Sequence, residues 1–71
     1  MDVNLITIQH MAFSRFQNLY GAVEMSAVAP LKVEDGWVVD VKSRNIGERF
    51  EIKLSEYIQY VREKKLKDLG I

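Results

Sequence analysis

Four basic side chains, Lys42, Arg44, Arg49 and Lys53, fall on two neighbouring extended segments joined by Arg44-Asn45-Ile46-Gly47. On a β-hairpin they would form a cationic ribbon, and ammonium and guanidinium groups spaced in this way neutralise phosphates. The chemistry to expect there is contact with a nucleic acid or another polyanion. The competing reading is a hairpin tip that simply meets water, which a net charge of zero from ten bases and ten acids favours. The run Arg62-Glu63-Lys64-Lys65-Leu66-Lys67-Asp68 interleaves its acids with its bases, and reads as a solvated helix face rather than a second polyanion site.

Catalytic chemistry finds little to work with. His10 is the only histidine, and no spacing joins it to a carboxylate or a second ligand. Ser14 and Ser26 have no base in sequence context. Cysteine is absent, which removes thiol catalysis and cysteine-based zinc sites and fits a reducing compartment. The expectation is therefore no catalytic residue, no metal, no cofactor and no small-molecule substrate. No run approaches the ~18 apolar residues of a membrane span, and Met1-Asp2-Val3-Asn4 lacks the basic start of a signal peptide. A cytoplasmic location follows as the expectation.

Tyr57, Tyr60, Met11 and Met25 form the second set with chemistry to offer. They fall off the main apolar stripes of two helical segments. Tyrosine, large and rigid with a polar tip, is enriched at interfaces, and methionine suits adaptable contacts. These four are the candidates for a protein interface, with a partner or in a homodimer. For Tyr57 the alternative is that it caps the edge of the core beneath Trp37.

The elements that must position these residues are readable from spacing. Leu5, Ile8, Ala12, Phe16, Leu19 and Val23 recur at intervals of three and four, and predict a helix over residues 4–20 with Asn4 as N-cap and Gly21 as stop. The β-branched run Ile6-Thr7-Ile8 also permits a short strand over residues 3–9. Residues 28–33 and 37–43 read as a hairpin across Glu34-Asp35-Gly36, pairing Val33 with Trp37, Leu31 with Val39 and Ala29 with Val41. Gly36 would then take the left-handed position of a bulged turn.

Residues 48–54 alternate strictly, with Phe50, Ile52 and Leu54 pointing inward. Pairing Val41 with Phe50 and Val39 with Ile52 leaves a four-residue turn, and sets two like-charge pairs, Asp40 with Glu51 and Lys42 with Arg49. Ser55 reads as the cap of a second helix over 56–69, whose inward face is Ile58, Val61, Leu66 and Leu69 and whose stop is Gly70.

The order is α-β-β-β-α: a two-layer α+β domain with a three-stranded antiparallel meander and both helices on one face. Seventy-one residues make one domain, 1–71, and a chain this short buries only about 60% of its unfolded surface. An apolar fraction of 48% against 28% charged is the composition of a chain that folds. Charge is unevenly placed: residues 1–41 carry net −3 and residues 42–71 net +3, so the molecule is electrically polar.

The stretch Leu19-Tyr20-Gly21, then Val28, then Asp35-Gly36-Trp37-Val38-Val39-Asp40-Val41 resembles the gas-vesicle accessory protein O family, in which a helix ending at glycine leads into strands through an Asp-Gly-Trp hairpin. About a third of the chain is covered. The sequence departs from that family in lacking an acidic, proline-containing insert before the next strand, and in a helical rather than arginine-rich C-terminal segment. The resemblance implies a non-enzymatic assembly partner in the cytoplasm and assigns no binding residues. Taken together, the sequence predicts a small interaction or regulatory module acting through a protein partner or as a homodimer. The alternative is a nucleic-acid-binding regulator using the basic hairpin.

Overall fold

The computed structural model describes residues 3–68, with side chains to Lys65. Helix α1 runs Leu5–Tyr20, so the β-branched run is helical rather than extended. Asn4 settles this locally: its Oδ1 accepts the Ile6 N–H at 2.9 Å and the Thr7 N–H at 3.3 Å, satisfying two of the donors that a helix start leaves unpaired. At the other end the Gly21 N–H closes on the Gln17 carbonyl at 2.7 Å with φ +84°, a backbone conformation that residues with a side chain rarely adopt. The buried face is Ile8, Met11, Ala12 and Phe16. Leu5, Leu19 and Val23, expected on that face, are exposed, Val23 lying beyond the end of the helix.

The sheet has four antiparallel strands: β1 (Ser26–Ala27), β2 (Leu31–Val33), β3 (Gly36–Ser43) and β4 (Ile46–Lys53). β1 and β2 both pair with one side of β3 while β4 takes the other, so the expected meander is present as β2-β3-β4, but its first strand starts at Leu31 instead of residue 28 and a short β1 is added upstream of it. Between β1 and β2 lies a bulge. Ala27 pairs with Val41 and Leu31 with Val38, so Val28, Ala29 and Pro30 stand against only Val39 and Asp40. Pro30 has no N–H to give a ladder, and an edge interruption is where a sheet tolerates it.

The register of both hairpins differs from expectation. Between β2 and β3 the turn is Glu34-Asp35, with Val33 opposite Gly36, Lys32 opposite Trp37 and Leu31 opposite Val38. Gly36 is not left-handed; glycine is required there by crowding. A Cβ at this position would collide with the Ile52 carbonyl oxygen and lie 2.8 Å from the Lys53 Cα. The one-residue slip turns Leu31 to the outer face, 67% exposed, and brings Lys32 to the Trp37 side. Lys32 is accommodated because its Nζ lies 5.2 Å from the Trp37 ring centroid, where stem and charge both find a partner.

Between β3 and β4 the turn is Arg44-Asn45, with Ser43 opposite Ile46, Val39 opposite Phe50 and Trp37 opposite Ile52. Arg44 adopts φ +54°, a cost on the order of 1 kcal/mol for a non-glycine residue. In exchange the ladder extends to Lys42–Gly47 and Ser43–Ile46, and Asp40 faces Arg49 in place of the like-charged Glu51. The shift is by two residues, so every side chain keeps its expected face.

Helix α2 runs Leu54–Asp68 directly from β4 with no loop. It begins before Ser55, the expected cap, because the Leu54 N–H is met by the Asp35 carbonyl at 2.8 Å. Leu54 is thus the first helical residue, not the last inward residue of a strand. The packed face is also rotated from expectation. Tyr57, 4% exposed, sits in the core with its ring 5.6 Å from Trp37, and its hydroxyl accepts the Asn4 N–H at 3.0 Å. The area of an aromatic pair outweighs that of Ile58 and Val61, which turn outward. The expected roles of Leu69 and Gly70, and of the Leu66 side chain, lie outside the described residues. One core, Ile8, Met11, Ala12, Phe16, Trp37, Val39, Val41, Ile52 and Tyr57, joins both helices to one sheet face, an α+β fold.

Candidate functional site

The basic residues are held on the outer face of the hairpin but do not converge. Lys42 pairs with Gly47 near the Arg44 tip, whereas Lys53 pairs with Gly36 at the opposite end. Six residue steps along β3, from Gly36 to Lys42, place them about 20 Å apart along the strand. Arg49, between them, is taken up by Asp40: Nε reaches Oδ1 at 2.8 Å and Nη2 reaches Oδ2 at 3.4 Å. Asp40 and Glu51 alternate with the bases across this face, which breaks the ribbon into separate charges.

The Arg49 hydrogen bond, aided by the charges of Arg49 and Lys42, holds the Asp40 carboxyl below its ordinary pKa of 3.8 against the opposing effect of desolvation. A lowered folded pKa means the pair contributes fully above the unfolded carboxylate range, and the contribution is lost as pH falls through the folded value. Carboxyl-carbon NMR is expected to find Asp40 titrating below ordinary aspartate, and Arg49→Ala to return it to that range. An unchanged midpoint in the variant would show the pair to be absent in solution.

Among the described residues Arg15 makes the most connected polar contact. From α1 its Nη1 donates to the Glu51 carbonyl of β4 at 2.9 Å, and its Nη2 pairs with the Glu56 carboxylate of α2. One planar fork thus ties three elements, the use to which guanidinium is best suited. Around it lies an open groove of about 340 Å³ between the helices, lined by Met11, Ser14, Arg15, Glu56, Gln59 and Tyr60. The groove brings together two of the expected interface residues, half-buried Tyr60 and Met11, although Met11 is largely committed to the core. Met25, half-buried against the core, lies at the far end beside Lys42, Ser43 and Arg44 around a second depression. Tyr57 reaches neither.

The surface that sequence periodicity assigned to the core is the one left open. Leu54, Ile58 and Val61 stand one helical turn apart on α2 at 41%, 36% and 39% exposure. Helix α2 carries two apolar faces, and spacing alone does not choose between them; the proximity of Trp37 does. At the hairpin end of α1 the Tyr20 hydroxyl donates to Glu48, and that hydrogen bond, with desolvation and the carboxylate charge, raises the phenol pKa. His10 lies exposed on α1, and among the described residues no three His, Asp or Glu side chains gather as a metal site. No helix among them is long and apolar enough to cross a membrane. Compared with known proteins, the chain matches no family model, no curated protein and no solved structure.

Proposed function

We propose that this chain is a small non-enzymatic interaction module, working in the cytoplasm through a protein partner or a second copy, and that the outer face of α2 is a contact surface. The observation that carries this reading is the Leu54, Ile58 and Val61 stripe, three aliphatic side chains aligned on one side of a helix whose other side is already packed. An amphipathic helix offered in this way is a common mode of recognition. An assembly role agrees with the resemblance to the gas-vesicle accessory protein O family. Nucleic-acid binding by Lys42, Arg44, Arg49 and Lys53 has less support, because Asp40 occupies Arg49 and Lys53 lies at the other end of the strand.

Affinity capture of the tagged chain from its native host, with and without nuclease and at two salt concentrations, tests the reading. A protein recovered under all conditions by the parent chain is expected to bind Ile58→Glu at least about tenfold more weakly, since the charge would have to be buried in the contact. The circular dichroism of the variant should be unchanged, Ile58 being surface-exposed. Recovery that Ile58→Glu leaves intact would remove the stripe from the interface. Recovery abolished by nuclease would move the function to the basic hairpin.

A further inference from the structure

We propose that β4 pairs antiparallel with β4 of a second copy, in the register that sets Arg49 of each chain against Glu51 of the other, and so joins two sheets into one. The inference rests on the interaction-module reading but not on the α2 stripe. It begins with the two edges of the sheet. The β1/β2 edge is broken into strands of two and three residues with Pro30 between them, a poor template for pairing. β4 is eight consecutive residues without a proline or a bulge, and among the described strands it pairs only with β3.

The hairpin decides which backbone groups are free. A two-residue turn closes on a hydrogen-bonded pair, here Ser43 with Ile46, and such pairs alternate along the ladder. Ile46, Glu48, Phe50 and Ile52 therefore direct their N–H and C=O to β3, and Gly47, Arg49, Glu51 and Lys53 direct theirs outward. The Arg15 bond to the Glu51 carbonyl agrees with this assignment. That bond leaves the oxygen a second lone pair for a strand N–H.

A symmetric partner must match outward residues with outward residues, which leaves three central registers. Setting Arg49 on Arg49 or Glu51 on Glu51 opposes like charges at the axis. The register between them sets Arg49 on Glu51 twice, once each side of the axis, and extends the Asp40–Arg49 pair into a row of alternating sign across the joined sheet. Gly47 then meets Lys53 of the second copy. On the inner face half-buried Phe50 meets its own counterpart. Glu48 stands opposite Ile52 of the second copy, and Ile46, 41% exposed in the single chain, closes the end of the paired segment. Charge, backbone parity and apolar cover thus select the same register.

Sedimentation equilibrium of the full chain across a wide concentration range tests this. The parent chain is expected to show a reversible monomer–dimer equilibrium. Glu51→Arg and Arg49→Glu should each weaken the dimer by about tenfold or more, because both interchain pairs become repulsive. Mixed in equal amounts, the two variants should dimerise with each other, since each then offers the charge the other lacks; this also shows that both are folded. Ile58→Glu should dimerise like the parent, which separates failure of the stripe from failure of the edge. A parent chain that stays monomeric to millimolar concentration overturns the proposal, as do single variants that dimerise like the parent or a mixture that does not associate.

Discussion

Gly36→Ala is expected to remove a large share of the chain's stability at 25 °C. The added methyl would run into backbone, the Ile52 carbonyl oxygen and the Lys53 Cα, not into the flexible end of a side chain. Relief requires β3 and β4 to separate where Trp37 pairs with Ile52 and where the Asp35 carbonyl holds the Leu54 N–H at 2.8 Å. Overpacking of this kind costs about 3 kcal/mol or more, in a chain whose whole stability, scaled from about 0.05–0.15 kcal/mol per residue, is roughly 4–10 kcal/mol. Gly47→Ala is the control: a methyl there meets only the Lys42 Cγ at 3.8 Å, and should change stability little. Urea unfolding followed by circular dichroism compares the two. Equal midpoints for both variants would show that crowding is not the reason for Gly36.

Phe16→Ala is expected to cost about 3–5 kcal/mol, the range for emptying a buried aromatic site. Phe16 is fully buried, with its ring centroid 4.7 Å from Tyr20 and 6.5 Å from Phe50 in an edge-on arrangement. Through Phe50 it fixes α1 over β4. Leu19→Ala, on the same helix but 61% exposed, should stay within about 0.5 kcal/mol. Thermal and urea denaturation measure both. A loss below about 1 kcal/mol for Phe16→Ala would mean that α1 is not packed as described.

The helices were legible because their signals are local. Asn4 and Gly21 mark the ends of α1 through bonds to residues at most four positions away. Strand existence and facing were legible from alternation at Trp37, Val39, Val41, Phe50 and Ile52, and the α+β class followed. Register was not, because it depends on contacts distant in the chain. The Gly36 methyl that cannot fit is refused by residues 52 and 53, and the position of Asp40 against Arg49 rewards a tight turn that Arg44 enters with a positive φ.

The candidate surfaces were legible in type but not in place. Tyr57 and Ile58 are adjacent in sequence, and which of them packs is decided by Trp37, twenty residues before Tyr57. The role of Arg15 had no periodic signal at all. Its only mark in the sequence is that it is one of two bases in the acidic N-terminal half.

Among the described strands β3 alone has neighbours on both sides, and its partner β4 follows across a turn of two residues. That hairpin, like the β2–β3 turn of two residues, forms at little loop-closure cost, whereas α1 and β1 must dock from farther away in the chain. Amides near the middle of β3 become the last to exchange with deuterated solvent, and the broken edge and the far end of α2 the first. The molecule opens from its margins inward, while β4, the edge assigned to a second copy, lies beside its most protected strand and keeps its shape as the rest loosens.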